Sequence, residues 1–315
     1  MSDLILHHYD GSPFSEKIRL ILGFKGLAWK SVKVPVMLPK PDVVALTGGY
    51  RRTPFLQMGA DIYCDTALMS RVIDTLAPQP PLYPVAATGA QHILAQWADS
   101  TLFWTAIPYT MQPVGAAYLF NGAPPEFLKT FGADRAAMTP HFKRATVPDA
   151  LAQLYSYFSW LEAEVSDGRH FLLGAHPCIA DFSVAQSLWY IRRAPPVAAV
   201  LAPFIKLIAW YERVAAFGHG TPEKMSSSDS IELAASTKKY ATAKVEPGAG
   251  FEAGDAVTVA AVDYATDLVP GTLVGLTQHE VVIERTDERA GTLHVHFPRI
   301  GYQVKKTKTE TGETT

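Results

Sequence analysis

The sequence has few cysteines, almost no excess charge and no long apolar run. Its 315 residues include only Cys64 and Cys178, which disfavours a disulfide framework and favours a reducing compartment. A formal net charge of -2 gives no electrostatic case for nucleic acid or an anionic membrane as a partner. Apolar runs such as 197–201 are far too short to span a bilayer, and the first residues lack the pattern of a secretory signal. We therefore expect a soluble, cytoplasmic protein.

The composition that is present is typical of a globular protein with more than one domain. Hydrophobic residues make up 48% of the chain and charged residues 18%, and its length suits two or three domains. All six tryptophans lie before residue 211, and a stretch rich in Gly, Pro and Ser follows at 218–230. Such a composition predicts a linker or an exposed loop.

Residues 1–78 predict an α/β domain with a mixed sheet. The apolar patterns indicate strands at 3–8, 29–34, 54–58 and 61–64, and helices at 13–26 and 66–76. Residues 88–217 differ, because large apolar side chains recur there at three- and four-residue spacing. That spacing predicts an all-helical domain built as a bundle.

The remainder of the chain predicts a third kind of domain. After a linker at 218–250, with a short helix near 231–239, at least four short strands punctuated by glycine occupy 251–306. So many short strands in so small a region predict a β-barrel. The polar tail 307–315 is expected to be disordered. Because the linker is polar, we expect a chain that ends near residue 220 to fold without the barrel.

Three sequence features lie where strands and helices begin, and together they indicate a binding site. Ser12 precedes Pro13 at a strand-to-helix turn, where serine is a favoured helix N-cap and so has an ordinary structural explanation. Thr53-Pro54 opens a strand, and a cis bond there would leave backbone groups free to pair with an extended peptide.

The third feature is Asp65-Thr66, which begins the next helix. Two polar side chains beside the bare N–H groups of a helix N-terminus form a site for an anion or a carboxylate. Three such features in this order are harder to attribute to structure alone than one.

The segments "SPFSEKIRLIL", "RRTPFLQMGADIYCDTALMSRVID" and "FLLGAHPCIADFSVA" resemble the cytosolic glutathione transferases. The "SPF" turn is most similar to the serine-type classes, such as tau, with zeta as a second comparison. The resemblance covers residues 1 to about 217 and is absent from 220 onward. It implies a thioredoxin-like domain followed by the family's helical domain, and glutathione as co-substrate.

Carried over to this chain, the resemblance implies a role for each site residue. Ser12 matches the serine whose hydroxyl hydrogen-bonds the glutathione sulfur, with Ser15 as an open alternative at the same turn. Thr53, before the cis Pro54, matches the residue that pairs its backbone with the cysteinyl part. Arg52 falls where such enzymes often place a Lys or Gln near the glycyl carboxylate.

Asp65 and Thr66 match the family's Glu-Ser pair, which holds the γ-glutamyl group. A free thiol has a pKa of about 8.5, and a hydroxyl donor at a helix N-terminus favours the nucleophilic thiolate. The resemblance thus implies conjugation of glutathione to an apolar or aromatic electrophile, or a glutathione-dependent isomerisation. The electrophile pocket is expected to include one or two of Phe103, Trp104 and Tyr109, and the protein is expected to be a homodimer.

A non-catalytic alternative stays open, in which the transferase-like part is a scaffold and the barrel recruits a partner. Cys64 is expected to be a buried apolar residue and not a redox centre. His294 and His296 share one face of a strand; a two-histidine metal site is conceivable there, but solvent-facing histidines are the expectation, so we predict no metal site.

Overall fold

The computed structural model describes residues 3–307, so the expected disorder of the tail from 308 onward lies outside the described residues. The strands are β1 (Ile5–His8), β2 (Ala28–Lys33), β3 (Phe55–Met58), β4 (Asp61–Cys64), β5 (Thr221–Lys224), β6 (Ala256–Ala261), β7 (Val269–Leu276), β8 (Glu280–Asp287), β9 (Gly291–Pro298) and β10 (Tyr302–Lys306). The helices are α1 (Pro13–Phe24), α2 (Pro41–Thr47), α3 (Thr66–Leu76), α4 (Thr88–Trp97), α5 (Phe103–Thr110), α6 (Pro113–Leu119), α7 (Pro125–Met138), α8 (Val147–Glu164), α9 (Ile179–Arg192), α10 (Pro195–Ala198), α11 (Ile205–Ala215) and α12 (Ser227–Ser236). A π-helical turn at Ala98–Leu102 joins α4 to α5.

The N-terminal region is thioredoxin-like, as predicted. β1 pairs with β2 in parallel and with β3 in antiparallel orientation, and β4 follows β3 through a tight hairpin. Helix α1 begins at Pro13 because Ser12 accepts a hydrogen bond from the Ser15 N–H at 3.2 Å. Helix α2 lies between β2 and β3, where the sequence analysis predicted neither a helix nor a strand.

The helical region is also confirmed, with α4 to α11 between the two strand-bearing parts of the chain. Helices α1 and α3 pack with it in one apolar core, in which Phe158, Phe182 and Trp210 are fully buried. No helix within residues 3–307 combines the length and the apolar character that crossing a bilayer requires.

The C-terminal strands confirm the predicted strand-rich region, and they are continuous with the strands of the thioredoxin-like region. Within residues 3–307 a single ten-stranded sheet runs in the order β10-β6-β7-β8-β9-β4-β3-β1-β2-β5, so β10 and β5 are its two edges. The join is a parallel pairing of β9 with β4, in which Asp61 faces His294 and Tyr63 faces His296. β9 thus extends the thioredoxin-like sheet, so the C-terminal strands are not a separate sheet.

The segment expected to be a linker differs from that expectation, because it is folded onto the sheet. β5 pairs in parallel with β2 even though its four side chains are exposed, since the pairing depends on backbone hydrogen bonds. Ser226 caps α12, and Ile231 and Ala234 are buried beneath it. The polar composition of this segment indicated a linker. In the structure, backbone pairing of β5 and the apolar side of the short helix α12 hold the segment against the sheet.

A second apolar core joins the two ends of the chain. Val43, Phe55 and Ile62 from the thioredoxin-like region pack with side chains from α12 and the C-terminal strands, including Val295 and Phe297. This core lies on the face of the sheet opposite α1 and α3. The C-terminal strands thus complete the packing of the thioredoxin-like region.

We expected His294 and His296 to face solvent, and this prediction is wrong: they are 9% and 2% exposed. Their strand, β9, lies in the interior of the sheet between β8 and β4, and Tyr240 stacks on His294 with ring centroids 4.1 Å apart.

Two adjacent histidines of β1 are buried in their neutral form. Gln57 donates both amide hydrogens, to the Gly59 and Ser230 carbonyls, so its Oε1 must accept from His7 Nε2 at 2.8 Å. The Arg19 guanidinium can only donate, so it donates to His8 Nδ1 at 3.1 Å. Burial is the main cause that lowers the pKa of His7 to about 4 and that of His8 to about 3.

We expect the free energy of unfolding to fall as the pH drops below 6.5. The unfolded histidines take up protons near pH 6.5, whereas the folded ones stay neutral until about pH 4, so acid favours the unfolded state. Each histidine costs up to about 1.4 kcal/mol per pH unit in this window. Urea unfolding at pH 7.5, 6.5 and 5.5 measures the slope. His7→Gln should reduce it and His141→Gln, at an exposed position, should not; equal slopes in all three proteins would contradict the account.

Candidate active-site cleft

A cleft of about 700 Å³ lies where the three parts of the chain meet. One wall comes from α1, the loop before β3 and the start of α3, and a second comes from Tyr83 and α4. The third wall is C-terminal and consists of the loop after β6, the turn after β7 and the turn before β10. The cleft contains five of the six residues that the resemblance places around glutathione, namely Arg52, Thr53, Pro54, Asp65 and Thr66.

Ser12 lies just behind this cleft and does not line it. Its side chain is 2% exposed, and its Oγ accepts from the Ser15 N–H while donating to the Thr53 carbonyl at 3.3 Å. Because the cap bond uses an oxygen lone pair, the hydroxyl hydrogen can turn away from the Thr53 carbonyl without breaking the cap. Ser15 is fully buried, and its Oγ has no hydrogen-bond partner within the described chain.

The Thr53-Pro54 peptide bond is cis, as the sequence predicted. The Thr53 carbonyl is taken by Ser12, and the Thr53 Oγ1 accepts from Lys40 Nζ at 3.3 Å. Burial, reinforced by the nearby Arg135, lowers the pKa of Lys40 to about 8. The loop is therefore held in place by side chains from two neighbouring segments.

Asp65 is the N-cap residue of α3: it has a positive φ of 74° and caps the helix through its own side chain. One carboxylate oxygen accepts from the Ala67 N–H at 2.9 Å, and the other accepts from the Tyr302 hydroxyl at 3.1 Å. Burial raises the pKa of Tyr302 well above its ordinary value, so this hydroxyl stays a donor. A C-terminal residue therefore contacts the carboxylate expected to hold the γ-glutamyl group.

Arg52 is more fully engaged by the C-terminal region. Its guanidinium donates to the Asp263 carboxylate and to the Tyr264 carbonyl, and it lies 3.7 Å from the centre of the Tyr264 ring. Arg52 is 8% exposed. The arginine expected near a glycyl carboxylate is thus already paired with a carboxylate of its own chain.

Sequence reasoning missed a buried ion pair at the base of the cleft. Lys17 is fully buried on α1, and its Nζ donates to Asp99 at 2.5 Å and to the Thr66 hydroxyl at 3.4 Å. Asp99 also accepts from Gln186, and burial raises its pKa against the opposing effect of Lys17. The available signal was a lysine on the apolar face of α1, among Ile18, Leu20 and Ile21.

Phe103, Trp104 and Tyr109, the candidates for the electrophile pocket, are not among the described residues that line this cleft. Phe103 packs on Phe14 and Trp104, while Trp104 lies edge-on to Tyr264 at 5.0 Å between ring centroids. Tyr109 is a core residue whose hydroxyl donates to the Val197 carbonyl at 3.1 Å. The cleft wall on this side is formed instead by residues such as Tyr83, His92 and Ile93.

Neither cysteine can act as a nucleophile in the folded chain. Cys64 and Cys178 are both buried and unpaired. Burial raises the pKa of Cys64 well above its ordinary value and that of Cys178 to about 12, so both stay as thiols near neutral pH.

Comparison with known proteins identifies the family of two regions of the chain. Residues 6–81 match the glutathione S-transferase N-terminal domain family, and residues 144–213 match the C-terminal domain family. The sequence has no match among curated proteins.

Solved structures extend the comparison to the whole chain. A GST-like protein from Pseudomonas syringae is 42% identical with a TM-score of 0.81, over 98% of this chain and 100% of its own. A glutathione S-transferase from Rhodospirillum rubrum F11 is 18% identical with a TM-score of 0.53, over 68% of this chain and 88% of its own, which shows the shared fold alone. The chain therefore belongs to the GST-like proteins of the glutathione S-transferase family, with a strand-rich extension beyond residue 215.

Proposed function

We propose that the protein is a glutathione transferase that uses glutathione as co-substrate in the cleft at the start of α3. The observation that carries the proposal is the convergence of Thr53, Asp65 and Thr66 on one cleft beside the cis Pro54. These elements come from separate parts of the chain, and the family resemblance assigns all of them to the peptide site.

The charges of the cleft suit a γ-glutamyl group, which carries both an ammonium and a carboxylate. Asp65 and Asp99 supply acceptors for the ammonium. Lys17 Nζ and the N-terminus of α3 favour the carboxylate. Such charge-assisted hydrogen bonds are roughly twice as strong as neutral ones.

In this proposal Ser12 stabilises the thiolate of bound glutathione. Its hydroxyl hydrogen turns from the Thr53 carbonyl to the sulfur, while its oxygen keeps the bond to the Ser15 N–H. The thiolate then attacks the electrophilic carbon of an apolar or aromatic substrate, forming the carbon–sulfur bond as the leaving group departs. A glutathione-dependent isomerisation would use the same activated thiolate.

A second candidate is a non-catalytic GST-like protein, and the contacts of Arg52 favour it. Asp263 and Tyr264 already contact the Arg52 guanidinium, which would otherwise pair with a glycyl carboxylate. Ser12 is buried behind the cleft. In this candidate the C-terminal strands replace part of the peptide site, and partner binding is the function.

Calorimetry with glutathione distinguishes the two candidates. We expect one binding site per chain, and we expect Asp65→Asn to weaken binding by about ten- to a hundred-fold. The asparagine keeps the helix cap through its Oδ1, while its Nδ2 replaces the oxygen that accepts from Tyr302, so the Tyr302 hydroxyl must turn to accept. The change removes the charge that pairs with the ammonium, worth about 1.5–3 kcal/mol.

The control is Asp167→Asn, which removes a carboxylate outside the cleft, and its affinity should equal that of the unmodified protein. Absence of binding at millimolar glutathione would favour the non-catalytic candidate. Equal affinity of Asp65→Asn and the unmodified protein would remove the assignment of the γ-glutamyl group.

We also propose a cytoplasmic homodimer that assembles through the first two regions. The β4 edge of the thioredoxin-like sheet is covered by β9, so the partner chain must contact other surfaces of these regions.

A further inference from the structure

Three side chains with metal-ligating atoms meet at the seam between the thioredoxin-like strands and the C-terminal strands. Asp61 lies on β4, and His294 and His296 both lie on the neighbouring β9. Asp61 Oδ1 is 2.9 Å from His296 Nε2 and 3.9 Å from His294 Nδ1. One ligand atom from each of the three lies within 4.8 Å of the others, a spacing compatible with a common metal ion.

The cluster is buried, and one of its atoms is unsatisfied. Asp61 is 4% exposed, His294 9% and His296 2%. Within the described chain His294 Nδ1 has no hydrogen-bond partner. A buried polar atom without a partner is rare, because it loses its hydrogen bonds to water and gains none. The lone pair of a neutral imidazole at this position is a ligand for a cation.

The groups behind the three side chains are arranged as they are behind metal ligands. His296 Nδ1, the ring nitrogen turned away from Asp61, lies 2.7 Å from Glu280 Oε1. His294 Nε2, likewise turned away, lies 3.5 Å from Glu284 Oε2. Asp61 Oδ2 accepts from the Ala241 N–H at 2.9 Å, which fixes the carboxylate. Metal-bound histidines characteristically donate their second N–H to a carboxylate in this way.

We propose that Asp61, His294 and His296 bind a divalent transition-metal ion, with Zn²⁺ as the ion that this donor set suits best. Two imidazoles and one carboxylate are a common zinc donor set, and three protein ligands leave a fourth position for water. Ca²⁺ and Mg²⁺ prefer six or more oxygen ligands, so the two imidazoles disfavour them.

A metal-free network accounts for only part of the geometry. Burial lowers the pKa of His296, but the hydrogen bonds to Asp61 and Glu280 outweigh it and raise the pKa above its ordinary value. An imidazolium at His296 that donates to Asp61 at 2.9 Å and to Glu280 at 2.7 Å is a complete network without any ion. It leaves His294 Nδ1 without a partner, whereas a shared ion satisfies both rings.

The ion would hold together the two halves of the ten-stranded sheet. Its ligands come from β4 and β9, whose pairing is the one that joins the halves within residues 3–307. Because the site requires both strands in register, binding favours the folded state and should raise the midpoint of thermal unfolding.

Titration of the full-length, tag-free protein with Co²⁺ and Zn²⁺ after dialysis against a chelator tests the proposal. We expect one ion per chain, visible absorption bands of four-coordinate Co²⁺, and a higher unfolding midpoint with Zn²⁺ but not with Mg²⁺. His294→Ala and His296→Ala should abolish this binding. Glu280→Gln should weaken it by about ten- to a hundred-fold. His141→Ala, at an exposed position, should bind as the unmodified protein does.

The proposal is overturned if the unmodified protein binds no Co²⁺ or Zn²⁺, or binds them equally well after either histidine is replaced. The cluster is then a carboxylate–imidazole network only. If the histidine variants do not fold, two measurements decide: the Co²⁺ spectrum of the unmodified protein and the metal affinity of Glu280→Gln. The proposal is then contradicted if the spectrum lacks the bands of four-coordinate Co²⁺, or if Glu280→Gln binds the metal as tightly as the unmodified protein.

Discussion

A chain that ends at residue 218 is expected to be insoluble or unfolded, whereas the chain of 315 residues is expected to be soluble. Truncation removes α12 and the C-terminal strands, which supply one side of the core around Val43, Phe55 and Ile62. Each large apolar side chain exposed in this way costs about 1.5–3 kcal/mol, and a domain has only about 5–15 kcal/mol of stability in total. The β4 edge would also lose its partner strand.

Expression of residues 1–218 beside the full-length protein measures this effect, by soluble yield and by circular dichroism during heating. A chain that ends at residue 307 is the matched control, because it keeps both cores and is expected to stay folded. A soluble 1–218 fragment with a cooperative unfolding transition would contradict the shared core. It would instead support the separable barrel that the polar composition of 218–250 predicted.

Ser12→Ala is expected to lower turnover of an activated aryl halide with glutathione by about ten- to a hundred-fold. The lost hydrogen bond to the thiolate is worth about 1.5–3 kcal/mol, and each 1.4 kcal/mol corresponds to about tenfold in rate. Glutathione affinity should change little, because Asp65 and Thr66 still hold the peptide. The pKa of bound glutathione, followed by thiolate absorbance against pH, should rise.

The same substitution deletes a helix cap, which costs about 1 kcal/mol of stability whatever the role of Ser12. Ser226→Ala is the matched control, because Ser226 caps α12 through the same kind of bond and has no proposed role in glutathione binding. It should lower stability similarly and leave turnover unchanged. Ser12→Thr keeps both the hydroxyl and the cap and should keep most of the turnover. Unchanged turnover in Ser12→Ala would leave Ser12 as a cap only.

The thioredoxin-like region and the helical region were predictable because their signals are local. The strand before Ser12, the cap and proline that begin α1, and the apolar spacing of α1 all follow one another directly in the sequence. The start of α3 at Asp65-Thr66 and the hairpin between β3 and β4 are likewise local. Such features depend on neighbours in the sequence and are visible there.

The surroundings of the cleft were not predictable because they depend on pairing between distant strands. The whole helical region lies between β4 and β9 in the sequence, and nothing in the composition of the two strands specifies their register. That pairing brings Tyr302 to Asp65 and the Asp263 loop to Arg52. It also buries His296, which alternation within its own strand had suggested was exposed. When only its own sequence is considered, a central strand with polar side chains cannot be distinguished from a strand whose polar side chains face solvent.

The most direct test of the account is the structure of the full-length protein crystallised with glutathione. We expect the γ-glutamyl group beside Asp65 and Thr66, the cysteinyl backbone against Thr53, and the sulfur within hydrogen-bond distance of the Ser12 hydroxyl. Glutathione bound elsewhere, or a cleft that stays empty at millimolar glutathione with Tyr264 still packed on Arg52, would contradict it.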